Sequence, residues 1–282
     1  MAVSPRRRTC CLFVALLVSA VPGAQGQADS SSRRPLFTGA DAILAAGVLL
    51  GARLIHPLDE HYRLRLQDSS TQANRKLQLL SKVVRTTAAP GAYIIGGTLY
   101  AAGRLGKSRN LAELGLYGTE ALIVGEVTAT TLKVLVGRAR PYVGDGPNDY
   151  KLGRGLGSGD FKSFPSGHAV AAFAAAAAVT SETALMAPGA RWVVGPIMYG
   201  GAALVGASRM YNNQHWASDV IIGAGIGTFA GLKVVRYQHA HPGNRIDRWL
   251  LSGSLTPNGT GGQRVRWSVM PGGLPQPPRA LH

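Results

Sequence analysis

Residues 208–219 read SRMYNNQHWASD, a polar interruption between two apolar segments, 191–208 and 216–236. Ser208 and Arg209 close the first segment, Tyr211 to Gln214 form a polar turn, and His215 and Asp219 open the second. This pattern predicts two helices joined by a short connection, the unit of a helical bundle. His215 and Asp219 stand four residues apart, so they share a face of the second helix. A carboxylate there can hold one imidazole nitrogen and leave the other with an outward lone pair, as in a hydrolytic triad. An imidazole held that way is a candidate nucleophile. Spacing alone also fits a His-Asp pair that merely caps a helix.

Outward from this stretch, four more apolar segments appear, at about 38–54, 90–105, 111–136 and 168–186. The chain has 282 residues, 37 of them Gly, and is 46% hydrophobic, which suits closely packed helices better than strands. The expected fold is all-α: a compact bundle of about six core helices with a short C-terminal β-hairpin or irregular tail. Residues 56–85 are polar and read as one or two surface helices, with Leu64, Leu66, Leu77, Leu79 and Leu80 available for a buried stripe. In the tail, Trp249 to Thr256 and Gln263 to Met270 could pair as strands about the turn PNGTGG, Pro257 to Gly262. Gly223, Gly227 and Gly231 recur every fourth residue and predict a smooth face packed on a neighbouring backbone.

Two further motifs carry chemistry. KVLVGRARP, Lys133 to Pro141, holds Lys133 and Arg140 seven apart; they share a face if the helix continues to the Arg-Pro step, although Pro141 disfavours helix at Arg140. Arg138 lies off that face and is expected to point to solvent. PSGH, Pro165 to His168, precedes an Ala-rich helix. Ser166 is a natural N-cap, Gly167 lets a ligand approach the backbone, and first-turn amides can accept an anion. His168 at that helix mouth is placed to act as a general acid. His56, His61, His239, His241 and His282 lack such partners in sequence and are expected at the surface. No His, Cys or Glu cluster suggests a metal site.

In this order, K-x6-R-P, P-S-G-H and S-R-x5-H-x3-D resemble the motifs of the type-2 phosphatidic acid phosphatase and vanadium haloperoxidase superfamily. The motif stretch covers 133–219, and helices extend the resemblance to about 86–237. The resemblance implies His215 as a nucleophile forming phosphohistidine and Asp219 as its orienting partner. His168 would be the proton donor and then the base. Lys133, Arg140 and Arg209, with Ser166 and the Gly167 amide, would hold the phosphoryl oxygens. It implies no cofactor, with vanadate an inhibitor or, in a haloperoxidase, a prosthetic group. Candidate substrates are a phosphorylated lipid or a small phosphoester. An inactive envelope protein that binds anions or lipids is the remaining alternative.

Residues 1–26 read as a secretory signal: Arg6 to Arg8 basic, Thr9 to Ala20 apolar, then Ala24-Gln25-Gly26 for cleavage. Cys10 and Cys11 both lie within it, so the mature chain would form no disulfide. Its loss removes three arginines and no acid, taking the formal charge from +16 to +13. Such a charge favours anionic membrane surfaces or phosphorylated substrates. Nucleic acid is not indicated, because the basic residues are scattered and no nucleic-acid motif is present. The expected organisation is a signal at 1–26, a polar segment and accessory helices at 27–85, a core at 86–237 and a tail at 238–282. The mean hydropathy is only +0.08, and charge-free runs such as 42–52 and 220–232 are short. That favours an exported bundle in the periplasm or cell envelope that touches the membrane, with an integral protein as the alternative.

Overall fold

In the computed structural model, residues 35–242 are described, together with 244, 247, 250, 251 and the backbone of 253–257 and 263–267. The expected signal, both cysteines, residues 27–34 and the proline-rich end at 271–282 lie outside the described residues. Eight α-helices occur among the described residues: α1 Gly39–Ile55, α2 Asp59–Gln67, α3 Ser69–Gln72, α4 Arg75–Leu105, α5 Arg109–Val136, α6 Gly167–Met186, α7 Arg191–Tyr211 and α8 Ala217–Ala240. The six long ones coincide with the six apolar segments, so the chain is all-α. Their starts have local causes. Thr38 caps α1 reciprocally with Asp41, donating from its amide at 2.6 Å and its hydroxyl at 2.9 Å. The Asn74 side chain accepts from the Lys76 and Leu77 amides at the start of α4. Two short strands, β1 Gly253–Pro257 and β2 Gln263–Trp267, pair antiparallel with Gly253 opposite Trp267; their connection lies outside the described residues.

Helix α6 is the centre. Ala169, Ala171, Ala174, Ala176, Ala177 and Ala178 are fully buried, so α5, α7 and α8 pack closely around it. The Gly row of α8 makes the tightest approach. A Cβ on Gly223, Gly227 or Gly231 would lie 2.6, 2.2 or 2.6 Å from the carbonyl oxygens of Ser166, Val170 and Ala174. The predicted smooth face is therefore an intramolecular α6–α8 contact. Gly227→Leu forces these backbones apart and is expected to destabilise by at least about 3 kcal/mol, the upper end for overpacking. Thermal unfolding of the purified variant checks this.

Three expectations change. Helix α4 starts at Arg75 and runs through Pro90, absorbing half of the polar segment. Leu64, Leu77, Leu79 and Leu80 are exposed instead of forming a buried stripe. Polar side chains dock this region: Gln67 and Gln72 both donate to the Tyr211 carbonyl, at 3.0 and 3.1 Å. Helix α5 ends before Arg140, because Gly137 turns left-handed at φ +56. A side chain there would meet the Lys151 carbonyl oxygen at 2.0 Å, so only glycine fits.

Large apolar side chains also face outward along the long helices, among them Ile43, Leu50, Ile94, Val127, Trp192 and Ile197. By length and composition three helical stretches suffice to cross a membrane: Gly39–Gln67, Gly167–Met186 and Ala217–Ala240. Charged residues that shorten the apolar runs in the sequence find partners on their own or a neighbouring helix. Glu113 accepts from Arg109 at 2.6 Å, Glu120 accepts from Gln238, and Lys233 pairs with Asp41.

Candidate active site

The three motifs meet at one end of the bundle. Arg140, extended before Pro141, donates Nε to the Gly159 carbonyl at 2.9 Å and Nη1 to Gln214 Oε1. The first and third motifs are thereby joined. The Ser166 amide donates to the Asp219 carbonyl at 3.1 Å, which joins the second and third. Lys133 Nζ lies 3.1 Å from where a Cβ on Gly167 would stand, so the first motif also touches the second. Asn213, left-handed at φ +57, reverses the chain between α7 and His215, a conformation Asn tolerates better than most residues.

His215 is buried, and its Nδ1 lies 2.6 Å from the Ser163 carbonyl oxygen. A carbonyl only accepts, so Nδ1 carries the hydrogen and Nε2 keeps the lone pair. Burial, and then the charges of Arg140, Lys133 and Arg209, hold this imidazole well below its ordinary pKa range. The ring is thus neutral near pH 7, the form a nucleophile needs. Lys133, Arg140 and Arg209 also act electrostatically on His168, at the first turn of α6, and Arg85 of α4 acts with them.

Asp219 has different partners from those expected. It makes no hydrogen bond to the His215 ring. It accepts from Ser163 Oγ at 2.6 Å, from the Trp216 amide at 3.0 Å and from Arg138 Nη1 at 2.6 Å. The carboxylate therefore ties together the segments on either side of the imidazole, and Ser163 transmits the restraint through its carbonyl. Ser166 stands at the N-cap of α6, but its hydroxyl makes no capping bond.

Arg138 does not point to solvent. It is buried between Asp59 and Asp219, at 2.8 and 2.6 Å, and donates also to Ser218 Oγ and the Pro147 carbonyl. Asp59, from α2, accepts from the Ser218 amide at 2.9 Å and its hydroxyl at 2.6 Å. Asp59, Arg138 and Ser163 are site residues that sequence reasoning missed. The repeated arginine of GRARP was the available signal for Arg138, since a second cation in that loop needs a partner; Asp59 and Ser163 carried none. His239 is exposed as expected, and its Nε2 lies 2.8 Å from Glu182 Oε1, a partner the sequence did not show, at the end of the bundle away from the motifs.

Lys133 Nζ, Ser166 Oγ and Arg209 Nε, one from each motif, are buried without a hydrogen-bond partner, as are Tyr211 Oη and Asn213 Oδ1 of the third. Buried polar groups are rarely left so. The first three are two cationic donors and a hydroxyl, the set an oxyanion satisfies. No group of three or more His, Cys, Asp or Glu residues suited to a metal ion occurs among the described residues.

Residues 115–242 match the model of the PAP2 superfamily, across the segment that holds all three motifs. The motif-bearing segment is PAP2-like. A curated relative, the lipid A 1-phosphatase of Porphyromonas gingivalis, is 44% identical over 71 residues, which is 24% of this chain and 15% of that protein. The chain therefore matches a small part of that relative's length. A solved structure, the transmembrane PAP2-type phosphatidylglycerolphosphate phosphatase of Bacillus subtilis, aligns over 73% of this chain and 98% of its own. Its sequence identity is 20% and the TM-score 0.42.

Proposed function

We propose that this chain is a metal-independent phosphatase of a lipid phosphate, working through phosphohistidine on Nε2 of His215. The observation that carries the reading is the trio of unpaired donors, Lys133 Nζ, Ser166 Oγ and Arg209 Nε, at the end of the bundle that holds His215. Nε2 attacks phosphorus as the bond to the leaving oxygen breaks, and His168 gives that oxygen a proton. Water then attacks phosphorus, returns a proton to His168 and breaks the P–N bond, releasing inorganic phosphate. Lys133, Arg140, Arg209, Ser166 and the Gly167 amide hold the phosphoryl oxygens, and each such donor contributes about 10²–10³ in rate. The acid contributes about 10²–10⁴. Asp219 acts through Ser163 and Trp216 and is a positioning residue.

A lipid substrate is supported by the outward apolar side chains and the three long apolar helices. The bundle sits in a membrane with the motif end at one face, and the exported side is the face that the N-terminal signal reading favours. The matched relative's name, lipid A 1-phosphatase, points to the same substrate class.

The test is phosphate release by detergent-solubilised protein from phosphatidic acid, phosphatidylglycerol phosphate, an isoprenyl diphosphate and p-nitrophenyl phosphate. At least one lipid is expected to outpace the soluble ester. Vanadate should inhibit, and a chelator should leave the rate unchanged. No release from any of the four, or loss with chelator that a divalent metal restores, overturns the reading.

A further inference from the structure

One cation near the site has no role in holding the transferred phosphoryl group. The first turns of α4 lie along the loop that follows α7, where the Ser81 hydroxyl contacts Asn212 Oδ1 at 3.4 Å. Arg85 follows Ser81 by four residues and so occupies the same face of α4. It is exposed, and among the described residues no carboxylate lies within ion-pair distance of it. It is near enough to both His168 and Arg209 to act on them electrostatically.

We propose that Arg85 is a specificity-determining residue that grips a second anionic group of the substrate, on the leaving-group side of the bond that breaks. The inference rests on the phosphatase reading and deepens it. A phosphoryl group has three free oxygens, and Lys133, Arg140 and Arg209 with Ser166 already meet them. A fourth cation beside these three, with no carboxylate of its own, adds repulsion that a second anion would relieve. His168 marks the side from which the leaving oxygen departs, so a cation near it meets the leaving group. Its planar fork suits two phosphate oxygens at once. Arg85 lies outside the family-matched span 115–242.

Two kinds of substrate present this chemistry: a diphosphate, whose second phosphate is the leaving group, and a phospholipid with a phosphodiester beyond the scissile phosphomonoester. Farnesyl diphosphate and phosphatidylglycerol phosphate represent them, and phosphatidic acid has a single phosphate. With Arg85→Gln, KM for one or both of the first two should rise roughly tenfold more than KM for phosphatidic acid, with kcat changing less. Which of the two responds identifies the source of the second anion. Arg85→Lys keeps the charge without the fork and should restore part of the loss, which a merely structural role would not predict. Equal KM changes on all three substrates, or none, overturn the assignment. Calorimetric binding of inorganic pyrophosphate and inorganic phosphate needs no turnover. The wild type should prefer pyrophosphate, and Arg85→Gln should lose that preference. An unchanged preference sinks the Arg85 assignment alone, whereas absence of turnover in every wild-type arm sinks the phosphatase reading.

Discussion

His215→Ala is expected to reduce phosphate release by roughly 10⁴-fold or more, because it removes the atom that, in the proposed mechanism, bonds to phosphorus. The structure makes the loss specific to one nitrogen. Nδ1 is committed to the Ser163 carbonyl, so Nε2 alone can attack. Added imidazole should partly rescue the alanine variant on p-nitrophenyl phosphate, where the leaving group needs little help from His168. Rapid quenching of the wild type with labelled substrate should yield a protein-bound phosphate that is stable to base and labile to acid. The alanine variant should yield none. Alanine activity within tenfold of wild type, with the protein folded by thermal unfolding, would remove His215 from the reaction.

Asp59→Ala should lower folding stability by about 3–5 kcal/mol, the range for stripping one partner from a buried ion pair. Arg138 would then keep Asp219 alone for its buried charge, and the Ser218 amide and hydroxyl would lose their acceptor. Activity should fall too, because Ser218 and Asp219 share the first turn of α8 with the segment that carries His215. Asp59→Asn retains one acceptor oxygen and should fall between. Unfolding of the solubilised protein in denaturant measures this, and a shift below about 1 kcal/mol for Asp59→Ala would mean that Arg138 finds its charge balance elsewhere. The cost would be smaller if water reached the site, since solvent screens a freed charge.

Much of this architecture is legible before any coordinates. Apolar periodicity located the six long helices, because burial against neighbours imposes it along the whole length of a helix. The motifs met because each sits at a helix end: Lys133 in the last turn of α5, Gly167 and His168 in the first of α6, Arg209 in the last of α7. Pairings between distant loops were not legible. Asp219 was assigned to the nearest imidazole by spacing, whereas Ser163 and Arg138 took its oxygens; contacts across more than fifty residues leave no local pattern. Hydropathy also misread Glu120 and Lys233, since a linear count cannot tell a charge facing solvent from one partnered by a neighbouring helix. The leucines of 64–80 failed for the opposite reason. Their spacing fitted a core, but Gln67, Gln72 and Ser81 supply the contacts.

The reach of Asp59 across 159 residues to Ser218 sets a boundary for protein engineers. The family resemblance is carried by 115–242, and a fragment trimmed to that span would look complete by its motifs. It would nonetheless expose a guanidinium that had lost one of its two carboxylates. Grafts, chimeras and minimal versions of this protein should begin upstream of His56, so that the short helix after it travels with the site it braces.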